Sequence, residues 1–139
     1  MFQRIETGML AALFLAGCSS GPAAPILEPC ADDQEVTLAV GVGLRPVFTW
    51  APACAMSSIF VAPASGVPAS WVLYSRTDAP ANPLRSGVPY GEEPEGSVEA
   101  APEATLQPGT LYEVTVYRWV GDPGGPGSIF PRGTTTFRP

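Results

Sequence analysis

Prolines and glycines divide this chain into short segments, and that division limits its possible folds more than any other feature. The 139 residues include 17 prolines and 15 glycines. After the first residues, no window free of both carries apolar side chains at helical spacing. Val36–Val42 instead alternates apolar and polar residues, which is the period of a half-buried strand. Short strands separated by turn residues predict an all-β sandwich or barrel.

About seven strands fit this pattern between residues 34 and 139. The candidates are Glu35–Val42, Arg45–Trp50, Ser58–Ala62, Ser70–Ser75, Leu84–Tyr90, Leu111–Val120, and the closing pieces Ile129–Pro131 and Thr134–Phe137. The first two are expected to form a hairpin that turns at Gly43–Leu44, with Val42 opposite Arg45. Leu84–Tyr90 is assigned to a sheet edge because Pro89 cannot donate within a ladder. Gly91–Ala104, which carries five glutamates, is expected to be a loop.

Composition excludes several function classes. The chain contains no histidine, and all seven of its basic residues are arginines. Histidine is the usual general base near neutral pH and the commonest metal ligand, and lysine supplies Schiff bases. Serine–histidine catalysis, cysteine–histidine catalysis and histidine-ligated metal sites are therefore excluded. The net charge of −6 argues against nucleic acid, which requires a basic surface.

The acidic residues leave two weaker alternatives open. A pair of carboxylates is enough for glycoside hydrolysis, and oxygen ligands suit calcium. The glutamates of Gly91–Ala104, with Asp32 and Asp33, match no calcium loop, and such charge runs are usually solvated. We therefore predict a non-catalytic protein without a metal or another cofactor.

The N-terminal segment has the pattern of a secretory signal. Arg4 gives it positive charge, and Met9–Ala16 is an apolar run too short to span a bilayer. Leu15-Ala16-Gly17-Cys18 resembles the lipobox of bacterial lipoproteins. That resemblance implies that residues 1–17 are removed and that Cys18 becomes the lipidated first residue. Residues 18–33 then read as a lipidated flexible tether, and residues 34–139 as the folded domain.

The remaining cysteines, Cys30 and Cys54, are predicted to form a disulfide, because a secreted chain meets an oxidising compartment. Extending the first predicted hairpin places Asp33 opposite Cys54, with Cys30 only three residues further on. A disulfide requires Cα atoms roughly 5.5 Å apart, which this arrangement allows. Two free thiols or a redox pair are the alternative.

The segment Leu106-Gln107-Pro108-Gly109-Thr110-Leu111-Tyr112 resembles the E–F corner of fibronectin type III domains. In that family the tyrosine begins strand F and hydrogen-bonds back to the corner. Leu106, Gly109 and Tyr112 would form this structural corner. Trp50 resembles the core tryptophan of the family's strand B, and Ile59 and Val61 would be the inward pair of strand C. The resemblance implies an immunoglobulin-like sandwich used for adhesion, scaffolding or ligand display.

Strand alternation predicts a patch of aromatic side chains on the outside of this sandwich. If Tyr112 points inward, Tyr117 and Trp119 on the same strand point outward, as does Phe60 on the neighbouring strand. Trp71 or Tyr74 is expected nearby. Exposed aromatic side chains anchor protein interfaces and stack on sugar rings. In the alternative, a shifted strand or a covering loop buries the patch.

Two functions are consistent with these features. The first is a lipid-anchored binding or adhesion module of the bacterial cell envelope, whose partner is an envelope protein or a polysaccharide. The second is a structural envelope or assembly subunit whose aromatic face is permanently buried. The outer membrane is favoured, because Ser19 follows Cys18 where many inner-membrane lipoproteins carry aspartate.

Overall fold

A computed structural model describes residues 28–76, 81–122 and 125–139. Its eight strands are β1 (Thr37–Val40), β2 (Val47–Ala51), β3 (Ser58–Pro63), β4 (Trp71–Ser75), β5 (Val88–Pro89), β6 (Ser97–Ala101), β7 (Tyr112–Gly121) and β8 (Gly127–Phe137). The described ranges contain no helix, and so none that could cross a membrane. The predicted signal segment and Cys18 lie outside them.

The strands form two antiparallel sheets. The small sheet has the order β1-β2-β5, and the large sheet has the order β6-β4-β3-β7-β8. The predicted all-β, immunoglobulin-like sandwich is confirmed, with one strand more than expected. The two sheets pack face to face because each turns an apolar side toward the other, which is the arrangement that removes both from water.

An aromatic cluster fills the space between the sheets. Phe48 of β2 lies 6.3 Å from Trp71 of β4 and 5.7 Å from Phe137 of β8, measured between ring centroids. Tyr90 lies 5.2 Å from Trp71. The aliphatic side chains below these rings come from alternate positions of β3, β4 and β7, and all are fully buried: Ile59, Val61, Leu73, Val114 and Val116. Ile59 and Val61 are therefore inward, as predicted.

The first hairpin forms, but its predicted register is wrong by one residue. Leu38 pairs with Trp50 and Val40 with Phe48, whereas a turn at Gly43–Leu44 would pair Leu38 with Thr49. The amide of Gly41 donates to the carbonyl of Val47 over 2.9 Å, so the loop is longer than the predicted two-residue turn. Pro46 is one reason for the longer loop, because it has no N–H to donate to the ladder. Val42, the last residue of the predicted alternating strand, is 98% exposed.

Two further predictions about strands are wrong. The acidic stretch Gly91–Ala104 is not wholly loop, because β6 lies within it and pairs with β4. The last part of the chain is one continuous strand rather than two pieces. Its pairing with β7 shifts between Val116 and Tyr117, so a bulge accommodates the sequence without ending the strand.

The disulfide between Cys30 and Cys54 is present, with the two Cα atoms 4.7 Å apart. The predicted path of the chain that brings the two cysteines together is wrong. Cys30 is not a continuation of the first hairpin but donates its amide to Ala55 in a short parallel bridge. Cys30 is buried in the core. The folded part of the chain therefore begins before residue 34, where the sequence places the end of the tether.

Arg118 also holds this N-terminal segment, a role that no spacing along the chain indicates. Its side chain is buried near the end of β7, donates from Nε to the carbonyl of Cys30, and pairs with Asp32 over 3.0 Å. Arg132 of β8 donates to the carbonyl of Asp32. Two arginines on neighbouring strands thus fix the segment at the end of the sandwich where the disulfide lies.

The predicted tyrosine corner is observed. The amide of Gln107 donates to the hydroxyl of Tyr112 over 2.9 Å, and Leu106 is buried beneath the turn. Gly109 has a φ of 78°, a conformation that glycine adopts without a steric penalty. The strand that leads into this corner is β6.

Candidate functional site

The register of the large sheet brings several aromatic side chains to one place on its outer face. Tyr117 of β7 pairs with Ser58 of β3, and Tyr74 of β4 pairs with Val98 of β6. Because Ile59 pairs with Leu73, the preceding residue Ser58 lies beside Tyr74. One row across the sheet therefore runs from Val98 through Tyr74 and Ser58 to Tyr117.

A shallow cavity of about 190 Å³ lies on this row, and we call it the outer cavity. Its lining residues are Ser58, Ile59, Phe60, Val72, Tyr74, Tyr117 and Ile129. Phe60 and Tyr117 are half-buried, while Tyr74 and Ile129 are 38% and 41% exposed. The structure thus joins two of the three predicted binding residues, Phe60 and Tyr117, in one site with Tyr74.

Ser58, one of the lining residues, carries a buried polar atom without a partner among the described residues. Ser58 is 1% exposed, and its Oγ forms no hydrogen bond within the described residues. A buried hydroxyl is normally hydrogen-bonded, because leaving it unpaired costs the interaction it had with water. Such a group is therefore a place where a ligand gains by supplying the missing partner.

Trp119, the third predicted binding residue, does not line the outer cavity. Its indole lies against the β7–β8 hairpin, where a Cβ added to Gly127 would be 2.6 Å from its Cζ2 atom. Its backbone N–H and C=O are both bonded to the side-chain amide of Asn82. Trp119 is half-buried, and these contacts give it a role in fixing the hairpin.

Of the two residues expected as alternatives beside the patch, Tyr74 lies there and Trp71 does not. Trp71 is 0% exposed and points into the core, where its Nε1 donates to Glu99 of β6 over 2.8 Å. The sequence did not determine its direction, because Trp71-Val72-Leu73-Tyr74 is apolar throughout and lacks the alternation that marks an outer face. Tyr74, three positions further along and therefore on the opposite face, is the residue that reaches the outer cavity.

Electrostatics keep the outer cavity neutral. Burial, followed by the nearby Tyr74 and Glu113, raises the pKa of the Tyr117 hydroxyl above its usual value of 10.0. The Tyr117 phenol is therefore an uncharged hydrogen-bonding group at neutral pH, and the lining contains no charged side chain. The cavity offers apolar rings, hydroxyl groups and no ionic partner.

The acidic residues are dispersed among separate contacts. Glu103 forms an ion pair with Arg45 over 3.2 Å, Glu93 accepts the amide of Glu99, and Asp32 pairs with Arg118. Among the described residues, no three histidine, cysteine, aspartate or glutamate side chains converge as metal ligands would.

Two other cavities have different linings. One of about 180 Å³ lies beneath the Arg45–Glu103 ion pair. The other, of about 430 Å³, lies beside β5 and is lined by prolines and by Arg85, Glu92, Glu93 and Glu95. Neither combines a buried unpaired group with converging rings, so the outer cavity is the stronger candidate.

No protein-family model, curated protein or solved structure matches this chain. The candidate function therefore depends on the chemistry of the site and on the sequence motifs.

Proposed function

We propose that this chain is a lipid-anchored, non-catalytic binding module of the bacterial cell envelope, most simply of the outer membrane. The outer face of the large sheet is its contact surface. The observation that supports this proposal is the convergence of Phe60, Tyr74 and Tyr117 around a buried, unpaired hydroxyl. Contiguous apolar groups on a protein surface tend to mark interaction sites, and aromatic side chains dominate the energy of such contacts.

The position of the outer cavity agrees with membrane anchoring. Tyr117 directly precedes Arg118, which binds the segment at Cys30. The outer cavity therefore lies toward the end of the sandwich that holds the segment around Cys30. A protein lipidated at Cys18 would hold this cavity near its membrane, within reach of an envelope component.

The anchor is tested by replacing Cys18 with serine and following the protein with radiolabelled palmitate. The unaltered chain should incorporate the label and sediment with membranes, because a diacylglycerol and an amide-linked acyl chain together anchor stably. The Cys18→Ser variant should lose both the label and the sedimentation. An unaltered chain that is found unlabelled in the soluble fraction would refute the anchor.

The contact surface is tested with the unlipidated domain and washed envelope fractions from the same bacterium. The double variant Tyr74→Ser/Tyr117→Ser should bind these fractions about tenfold more weakly or worse, because it removes two aromatic walls. Its melting temperature should change little, since both side chains are partly exposed. Val42→Ser, which alters an exposed apolar residue outside the outer cavity, is the matched control.

The competing function, a structural subunit with a permanently buried aromatic face, gives a different result. In that case the chain would purify only within a stable complex, and the double variant would abolish assembly or unfold the isolated domain. Either outcome would overturn the binding-module proposal.

A further inference from the structure

We infer that the outer cavity binds one neutral pyranose ring of an envelope polysaccharide, with a sugar hydroxyl bonded to Ser58 Oγ. This inference rests on the proposed function and names the class of its ligand.

The buried hydroxyl of Ser58 requires a ligand with matching polar groups. A serine hydroxyl both donates and accepts hydrogen bonds, and this one does neither among the described residues. A sugar hydroxyl has the same dual capacity, so either orientation of the pair is satisfied. The other buried polar atom without a partner, Arg132 Nε, belongs to a side chain whose end already binds Asp32 and Glu35.

The walls of the cavity match the other part of a sugar ring. A pyranose presents C–H groups on its faces and hydroxyls around its edge. The face of an aromatic ring carries partial negative charge, and it therefore attracts the polarised C–H groups of a sugar. Phe60, Tyr74 and Tyr117 supply such rings around a space of about 190 Å³, and the two phenol groups add neutral donors and acceptors for ring hydroxyls.

The absence of charge in the lining selects among sugars. Uronates and phosphorylated sugars are normally held by arginine or lysine, and the outer cavity has neither. The net charge of −6 adds long-range repulsion toward anions. Neutral hexoses and N-acetylhexosamines are therefore the expected ring types.

A protein side chain fits the same cavity less well. An apolar side chain would cover Ser58 Oγ without giving it a partner, which makes burial of that hydroxyl more costly. A stable protein interface also buries about 800 Å² on each partner, and the converging groups here surround one small concavity. These observations favour a saccharide over a protein, and the experiment must separate the two.

The direct experiment applies the unlipidated domain to an array of neutral hexose, N-acetylhexosamine and uronate oligosaccharides, with binding then measured by titration calorimetry. Binding to at least one neutral saccharide and none to the uronates is the expected result. If no neutral saccharide binds while envelope fractions are still captured through Tyr74 and Tyr117, the ligand is not a neutral sugar. The proposal that the chain is a binding module would then still hold. If neither binds, the proposed function itself fails.

Single substitutions then test the assigned contacts on the saccharide that binds. Ser58→Ala should weaken binding about tenfold, because it removes one hydrogen bond within an enclosed site. Tyr117→Phe should retain most of the affinity and Tyr117→Ala should abolish it, because the ring supplies the stacking. Val42→Ser should bind as the unaltered domain does. Unchanged affinity in Ser58→Ala with a folded domain, shown by its NMR spectrum, would overturn the assignment.

Discussion

The two faces of the large sheet are built from the same strands but from different kinds of residue. On the inner face, Ile59, Leu73 and Val116 are fully buried aliphatic side chains. On the outer face, one position away along the same strands, Phe60, Tyr74 and Tyr117 are partly exposed aromatic side chains. Strand alternation alone does not account for this difference, since it requires only that the outer face tolerate water.

The faces also differ in how they treat buried polar atoms. In the core, the indole nitrogens of Trp50 and Trp71 donate to Cys54 and Glu99, and the hydroxyls of Tyr90 and Tyr112 each have a backbone partner. On the outer face the hydroxyl of Ser58 has none among the described residues. Satisfied polar groups stabilise a core, whereas an unsatisfied one sacrifices stability. The inner face therefore pairs the polar groups that the fold buries, whereas the outer face keeps one unpaired, as the proposed binding function requires.

The largest expected effect separates the two faces on a single strand. Trp71→Ala should lower the free energy of unfolding by about 3–5 kcal/mol, because it empties a fully buried aromatic position between the sheets. Trp50→Ala, in the small sheet, should cost a similar amount. Tyr74→Ala is the matched control on the outer face of β4, and it should cost less than about 1 kcal/mol. Equal losses in urea melts of Trp71→Ala and Tyr74→Ala would show that the faces do not differ.

Removing the disulfide should have the next largest effect. The double variant Cys30→Ser/Cys54→Ser should lose about 3 kcal/mol, because the bond closes a loop that separates its ends by 24 residues. Neither cysteine lines the outer cavity, so the cavity should retain its affinity wherever the domain remains folded. Stability measured by chemical denaturation with and without reductant checks the first point. A reduced domain as stable as the oxidised one would contradict it.

Removing the hydroxyl of Tyr90 should cost less stability than removing the disulfide, and it should also change how stability depends on pH. It lies 2.6 Å from the carbonyl of Ala104 and 3.0 Å from that of Ser70. Burial, reinforced by the charge of Glu103, raises the pKa of Tyr90 from 10.0 to about 12. Folded Tyr90 therefore stays protonated where unfolded Tyr90 ionises. Its stabilising effect is complete below pH 10 and is lost as the pH rises from 10 to 12.

Tyr90→Phe tests this linkage. The variant should be roughly 1–2 kcal/mol less stable at neutral pH, because the carbonyl of Ala104, the nearer acceptor, loses the hydroxyl as its donor. Its stability should also decline less steeply between pH 10 and 12 than that of the unaltered domain. Tyr74→Phe, which leaves the buried tyrosine in place, is the control. Parallel pH profiles for the unaltered domain and Tyr90→Phe, measured by urea melts, would contradict the assignment.

The tyrosine corner should contribute about 0.5–1.5 kcal/mol. Tyr112→Phe keeps the ring against Phe137, 5.6 Å away between centroids, and removes only the hydroxyl that accepts from Gln107. Thermal unfolding of the variant measures the difference. No change in melting temperature would mean that water replaces the hydroxyl at no cost.

The sequence predicted those parts of the fold that a local pattern determines. Alternation located β1 and β2, and the turn around Gly109 identified the corner at Tyr112. The pairing register of β1 and β2 was harder to predict. The alternation of side chains cannot distinguish a two-residue turn from the longer loop that Pro46 imposes. The strand β6 was missed because its glutamates resemble a solvated loop, although Glu99 is there to accept a hydrogen bond from Trp71.

The site was only partly predictable for the same reason. Phe60 and Tyr117 were identified from the alternation of inward and outward side chains, which can be read from a single strand. Trp71 and Tyr74 remained alternatives because β4 is apolar on both sides. The buried hydroxyl of Ser58 could not be recognised from its own neighbours, since its surroundings come from β4 and β7. Buried polar atoms depend on three-dimensional packing, and no spacing along the chain signals them.

The smallest expected effect is a gain in stability, and it tests the comparison between the faces most sharply. Ser58→Ala removes a buried hydroxyl that has no partner among the described residues, so the free energy of unfolding should rise by about 0.5–1 kcal/mol. Ser57→Ala, at a neighbouring buried serine that is not among the unpaired atoms, should not produce that gain. A binding site often keeps a residue that the fold alone would not favour. If urea melts show Ser58→Ala to be destabilised, the hydroxyl has a structural partner in solution. The buried polar atoms of the outer face would then be hydrogen-bonded as fully as those of the core.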